Sequence, residues 1–356
     1  MRNSGIRLRI SLFSFLYRST RLVITRLIYF YQNLFSKPKD LEPAVKIGDG
    51  ILGSVFIFKK IAFDYNIPKG CEIDIYNLKF PSPLIGSSFK SDANVLDMWL
   101  RMGLGSIIFK TIMKEERKGN PRPRLQEVNS KGKRGLFNSL GLPGPGIKKF
   151  TEEIKDHVLW EYDRPIGISI GGDNKDDYYD NIQKIEKALL NQKVQYFYEL
   201  NISCPNTING QTICEDPRSL HELLSLVKKK IKHPISIKVS PDISNITLKE
   251  LGEVCQSFDR IIINAGNTHY RNKAELGLRD SNFSMNGGGL SGVTIFDRTV
   301  EMVKLFSNFK IPIMATGGIS TIDHIKVLKD SGASLFGMAT SLVLDPYCVP
   351  RINRQF

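Results

Sequence analysis

Residues 312–340 read Pro-Ile-Met-Ala-Thr-Gly-Gly-Ile-Ser-Thr-Ile-Asp-His-Ile-Lys-Val-Leu-Lys-Asp-Ser-Gly-Ala-Ser-Leu-Phe-Gly-Met-Ala-Thr. An apolar run, Pro312–Thr316, gives way to two glycines, then to a helical stretch over Thr321–Ser331 that Ser320 or Thr321 can cap and Gly332 stops, then to a second apolar run, Ala333–Met338. Strand, helix and strand in about thirty residues make a βα unit with parallel strands. The same cadence recurs toward the amino terminus, with runs at Pro83–Ser88, Ser106–Lys110, Pro165–Ile170, Tyr196–Ser203, Pro234–Val239 and Arg260–Asn264. Helical stretches separate them, among them Asn94–Met102, Asp177–Leu190 and Ser219–Lys230. Eight such runs predict an α/β protein of the (β/α)8 TIM-barrel class, and 356 residues accommodate one barrel of about 250 residues with extensions. Little chain follows the eighth run, so the last helix is expected to be short or irregular.

Composition agrees with a folded enzyme-sized body. Hydrophobic residues make up 41% of the chain and charged residues 24%, enough apolar material for a large core and too little bias for disorder. The five cysteines, Cys71, Cys204, Cys214, Cys255 and Cys348, form no CxxC pair, which argues against a disulfide scaffold, a zinc ribbon or an iron–sulfur site. No metal-ligating set is evident, and a reducing compartment is the simpler reading.

The net charge of +14 is concentrated at the amino end. Residues 1–40 hold Arg2, Arg7, Arg9, Arg18, Arg21, Arg26, Lys37 and Lys39 against Asp40 alone, interleaved with Leu12, Phe13, Phe15, Leu16, Leu22, Val23, Leu27 and Phe30. This basic amphipathic pattern suits a membrane surface, and the arginines interrupt it too often for a span. An organelle-targeting segment, mitochondrial targeting included, or a helix packed on the body would show the same bias. The chain is accordingly divided into an extension at 1–45 and a barrel at 46–356. The body is only mildly basic, and no nucleic-acid partner is expected.

In such a barrel the reacting groups sit at the carboxyl ends of strands and in the loops beyond them. There the sequence places Ser87, Ser88, Lys110, Asn201 with Cys204 and Asn206, Lys238 and Asn264, then Gly317-Gly318 after run seven and Ala339-Thr340 after run eight. Two lysines beside an apolar barrel interior call for an anion, and the last two loops of this fold often bind phosphate. A thiol between two side-chain amides, in Asn201-Ile-Ser-Cys-Pro-Asn206, offers a proton acceptor beside neutral hydrogen-bonding groups.

The segment Glu199–Thr207 (ELNISCPNT) resembles the active-site segment of the dihydroorotate dehydrogenase family. Gly105–Arg124 (GSIIFKTIMKEERKGNPRPR), Phe137–Gly146 (FNSLGLPGPG), Ile237–Asp242 (IKVSPD), Asn286–Gly292 (NGGGLSG) and Ala315–Thr340 resemble further motifs in family order. The resemblance implies FMN-dependent oxidation of dihydroorotate to orotate in de novo pyrimidine biosynthesis, with Cys204 taking the C5 proton and flavin N5 the C6 hydride. It makes Asn138, Asn201, Asn206, Asn264 and Lys110 substrate contacts. It makes Ser87, Ser88, Lys110, Lys238, Gly292, Gly317, Gly318, Ala339 and Thr340 cofactor contacts, the last five along the phosphate.

A cysteine base accompanies the soluble members that reduce fumarate or NAD, whereas the basic extension resembles the quinone-reducing, membrane-bound members. Quinone, fumarate and NAD therefore all stand as acceptors, and the location as cytoplasmic or on a cytoplasmic-type membrane face. A homodimer is implied by the resemblance alone. Thr207–Pro217 is expected to cover the site. Alternatives are a related flavin barrel acting on another pyrimidine, free or within tRNA, and an inactive flavin-binding barrel.

Overall fold

The computed structural model of the chain describes residues 2–54, 59–203 and 213–356. Helices α1 (Arg2–Leu34), α2 (Glu42–Ser54) and α3 (Lys59–Phe63) lead into an antiparallel hairpin of β1 (Ile73–Ile75) and β2 (Leu78–Phe80). The barrel opens with β3 (Leu84–Gly86), α4 (Ala93–Arg101) and β4 (Ser106–Ile112). An inserted hairpin of β5 (Leu125–Ser130) and β6 (Lys133–Asn138) precedes α5 (Gly146–Glu153). There follow β7 (Ile166–Ile170), α6 (Lys175–Leu189), β8 (Tyr196–Asn201), α7 (Pro217–Lys228), β9 (Ile235–Val239), α8 (Asn245–Gln256) and β10 (Ile261–Ala265). A second insertion, β11 (His269–Asn272) and β12 (Gly287–Gly292), precedes α9 (Phe296–Phe306), β13 (Ile313–Thr316), α10 (Ile322–Asp330) and β14 (Leu335–Met338). The chain then forms the short helices α11 (Thr340–Leu344) and α12 (Cys348–Asn353).

Strands β3, β4, β7, β8, β9, β10, β13 and β14 pair in parallel and close into a barrel, and each of the eight predicted runs contributes one of them. The helices begin where their sequences supply caps. Asp92, Asn174, Ser244 and Thr321 accept backbone N–H bonds at the starts of α4, α6, α8 and α10, each stabilising by about 1 kcal/mol. The terminal unit ends in two short helices, as its sequence leads one to expect.

Strand alternation divides the barrel into an apolar outer layer and a two-zone interior. Outward residues such as Ile107, Ile168, Ile237 and Ile263 are buried against the helices. Inward, Ile85, Ile108, Phe197, Ile262, Met314 and Leu335 form a dry floor, which the β1–β2 hairpin caps with Ile75, Leu78 and Phe80. One step nearer the carboxyl end, the same inward faces carry Ser87, Lys110, Ser169, Glu199, Lys238, Asn264 and Thr316. The barrel is therefore packed hydrocarbon at one end and hydrogen-bonding at the other.

The pairing of the insertions lies outside the sequence reading, whereas a helix packed on the body is among its alternatives for the extension. The insertions pair with each other into a four-stranded antiparallel sheet, in the order β11-β12-β6-β5, beside the carboxyl end. The amino-terminal extension is docked on the body, and the expected border at residue 45 falls inside α2. Along α1, Ile10, Phe13, Ser14, Tyr17, Ile24, Thr25, Ile28 and Gln32 recur at three- and four-residue spacing and face the body. Ser14 Oγ donates to Asp345 at 2.8 Å and the Tyr17 hydroxyl to the Val343 carbonyl at 3.1 Å. Ion pairs Arg21–Glu127 (2.7 Å), Arg122–Asp40 (2.7 Å) and Arg124–Glu42 (2.7 Å) tie the extension to β5 and its approach. Among the described residues no helix is long and apolar enough to cross a membrane.

Candidate active site at the carboxyl end of the barrel

A cavity of about 330 Å³ opens at the carboxyl ends of the barrel strands, within the size range of small-molecule and cofactor sites. Its walls combine the barrel interior, the 139–142 loop, the four-stranded sheet and the loops after β13 and β14. Of the residues singled out from the sequence, Ser87, Ser88, Lys110, Asn138, Asn201 and Lys238 line it. Gly292, Gly317, Gly318, Ala339 and Thr340 line it from the opposite side. Cys204, Asn206 and most of the 207–217 loop lie outside the described residues. Asn264 does not reach the wall. It is fully buried beneath the cavity, where its amide nitrogen donates to Glu199 Oε2 at 2.8 Å.

The lysines are delivered by strand geometry. Along β4 the ladder to β7 shifts register between Phe109 and Ile112, and consecutive residues Lys110 and Thr111 both line the cavity, as a bulge allows. Burial pushes the Lys110 ammonium down to about 8, with Arg124 and Lys90 adding like-charge repulsion. An anion in the cavity would relieve both effects. Lys238 is 7% exposed, and its Nζ donates to Ser88 Oγ at 3.1 Å.

Asn201 is fixed by a chain of hydrogen bonds. Its Nδ2 donates to Thr111 Oγ1 at 2.9 Å, and that hydroxyl lies 3.0 Å from Ser169 Oγ. Its Oδ1 accepts from Ser203 Oγ at 3.1 Å, which itself accepts from Asn267 Nδ2 at 2.7 Å. The residues Thr111, Ser203 and Asn267 thus set the rotamer of a wall amide. Sequence reading passes over them because each is a small polar residue whose role depends on the closed barrel. Glu199 is missed too, although its position two residues before Asn201 on β8 is a usable signal, since both must face inward.

The far wall is shaped for a bulky anionic group. Gly318 has φ +75°, and a Cβ there would fall 2.7 Å from the Phe296 side chain and 2.9 Å from its backbone. At Gly337, inward on β14, a Cβ would occupy the floor 2.1 Å from Thr316 Oγ1. The hydroxyls of Ser87 and Thr316 are buried around this cradle with no hydrogen-bond partner among the described residues. Unspent donors, two lysines and side-chain-free backbone fit a phosphorylated, ring-bearing cofactor such as FMN. No group of three or more metal-ligating side chains occurs among the described residues.

The extension reaches this site indirectly. Arg124, held by Glu42 of α2, donates to the carbonyls of Lys118 and Asn120 at 2.8 Å and so folds the loop that carries the cavity residue Asn120. Glu127 joins Arg21 of α1 to Arg134 of the cavity rim, at 2.7 and 2.6 Å.

Comparison with known proteins finds that residues 71–356 match the family model described as dihydroorotate dehydrogenase. The catalytic subunit of dihydroorotate dehydrogenase B (NAD(+)) from Bacillus pumilus is 29% identical over 289 residues, covering 80% of this chain and 89% of that protein. The corresponding subunit from Malacoplasma penetrans is 31% identical over 288 residues, with 78% and 89% covered. A solved structure from Eimeria tenella, DHODH in complex with ferulenol, superposes with a TM-score of 0.68 at 18% identity, covering 87% of this chain and 89% of that one. That likeness is one of fold, and its coverage extends into the residues that precede the family match.

Proposed function

From a chain that belongs to the dihydroorotate dehydrogenase family, an oxidoreductase family acting on CH–CH bonds, we propose FMN-dependent oxidation of dihydroorotate to orotate in pyrimidine biosynthesis. The observation that carries this reading is the convergence of Lys110, Lys238, Asn138 and Asn201 with the Gly292, Gly317 and Gly318 backbone around one cavity. FMN, when bound, supplies the hydride acceptor.

The protein's own residues supply the rest. Ser87 and Thr316 have donors to spare for the cofactor, and the glycines leave room for its phosphate. Asn138 and Asn201 bind the polar faces of the substrate ring without adding charge, and Asn206 joins them in this reading. Lys110 pairs with an anionic group, which restores the charge that burial opposes. Cys204 takes the C5 proton, as a thiol with an ordinary pKa of about 8.5 is able to do near neutral pH. Support for this role comes from Asn201 and Ser203, which bring the end of β8 onto the cavity wall just before it. Asn264 completes the substrate amides in this reading, from its place beneath the wall.

For the electron acceptor, the relatives' names offer fumarate and NAD(+), while the exposed apolar face of α1 favours a quinone drawn from a membrane, and all three are to be assayed. Leu12, Phe15, Leu16, Val23, Leu27 and Phe30 all face solvent on α1, flanked by Arg18 and Arg26, and we assign this face to a membrane surface.

The test is the visible spectrum of the purified protein under anaerobic conditions, before and after dihydroorotate is added. A flavin band bleached by dihydroorotate is the expected result. A band that stays unbleached overturns the substrate, and a colourless protein that FMN cannot reconstitute overturns the cofactor.

A further inference from the structure

Below the cavity lies a carboxylate that the reaction just described leaves without a task. Glu199 is inward on β8 and fully buried. A carboxylate so placed needs partners for both oxygens, and it draws them from three other parts of the barrel. Oε1 accepts from Ser88 Oγ at 2.5 Å, beyond β3, and lies 3.9 Å from Lys238 Nζ on β9. Oε2 accepts from Asn264 Nδ2 on β10 at 2.8 Å.

The donor order follows from the chemistry of the groups. An ammonium only donates and a carboxylate only accepts, so the Ser88 hydroxyl accepts from Lys238 and commits its hydrogen to Glu199. Lys238, on the cavity wall, thus carries its counter-ion on the dry side, away from any ligand. From the cavity the pair acts more as a dipole than as a single positive charge. In a water-poor interior that difference is felt strongly.

We propose that Glu199 is a positioning residue that sets how much of the Lys238 charge reaches the cavity, and thereby the preference of the site for reduced over oxidised flavin. The inference rests on the FMN reading above. Taking up two electrons and one proton leaves the flavin with one more negative charge than its oxidised form. Lys238 stabilises that charge and Glu199 opposes it. Neutralising the carboxylate at constant shape therefore raises the flavin midpoint potential.

The experiment is the midpoint potential of the FMN-loaded protein, equilibrated against a reference dye, for wild type, Glu199→Gln and Ser88→Ala. Glu199→Gln is expected to favour reduced flavin at least tenfold more than wild type does, an upward shift of about 30 mV for a two-electron couple. Ser88→Ala removes the bridging hydroxyl but no charge and is expected to shift the potential by much less. An unmoved potential in Glu199→Gln, or an equal shift in Ser88→Ala, overturns the proposal. If Glu199→Gln alone yields no folded holoprotein, it is combined with Lys238→Met, so that no buried charge is left unpaired. The potential of the double variant then stays within about 30 mV of wild type if Glu199 offsets the lysine charge, and falls further if that charge reaches the cavity unopposed. A wild type that binds no flavin overturns the FMN reading and this proposal together, whereas a loaded wild type with an unresponsive Glu199→Gln overturns this proposal alone.

Discussion

Thr316 and Gly337 are register partners on adjacent barrel strands, and the Thr316 hydroxyl lies where a Gly337 side chain would begin, 2.1 Å from an ideal Cβ. The same Cβ would stand 2.9 Å from Ser87 Oγ, so the absence of one methyl group leaves room for both buried hydroxyls beside the cavity. Gly337→Ala should keep the barrel folded and weaken FMN binding by tenfold or more, about 1.4 kcal/mol. Quenching of flavin fluorescence on titration with apoprotein measures it, and unchanged affinity would place the flavin elsewhere.

Cys204→Ala should retain bound flavin while turnover falls by about 10²- to 10⁴-fold, the usual worth of a positioned base. Steady-state rates with dihydroorotate, together with the flavin absorbance of the same samples, separate loss of chemistry from loss of cofactor. Unchanged turnover would remove the base role from this thiol.

Lys110 gives a pH dependence with a definite sign. Its folded-state pKa of about 8 lies below the value of about 10.4 for an exposed lysine. The folded chain therefore sheds this proton first, and the destabilisation from burying the ammonium fades as pH rises from about 8 toward 10.4. An anionic ligand needs the protonated form, so orotate affinity should hold steady below about pH 8 and fall up to tenfold per unit above it. Titration calorimetry at pH 7, 8 and 9 measures the profile, and Lys110→Met should bind weakly with that inflection gone.

On α1, replacing Leu12, Phe15 and Leu27 by Gln removes apolar area from the exposed face without touching the buried one. Co-sedimentation of the full chain with vesicles containing anionic lipid should drop severalfold for this variant, at unchanged thermal stability. Equal binding by both proteins would leave the exposed face without a membrane role.

All eight barrel strands were legible because each is a short apolar run followed by a helical stretch, a pattern set by burial on both faces. The glycine and lysine positions were legible because they terminate such runs. The four-stranded sheet was not, since β11 reads His-Tyr-Arg-Asn and β12 is mostly glycine, and β12 joins β6 only when the barrel brings the 133–138 and 287–292 segments together. Asn264 shows the limit at a single residue. Its place at a strand end argues for a ligand contact, and the structure adds a partner for its amide nitrogen, the buried Glu199, that only the closed barrel reveals.

The hairpin beneath the barrel has a consequence for traffic. Ile75, Leu78 and Phe80 seat against six floor side chains of zero exposure, so among the described residues no water-filled route leads out through the amino end. Ligand traffic therefore runs through the carboxyl end of the barrel, where the cavity opens.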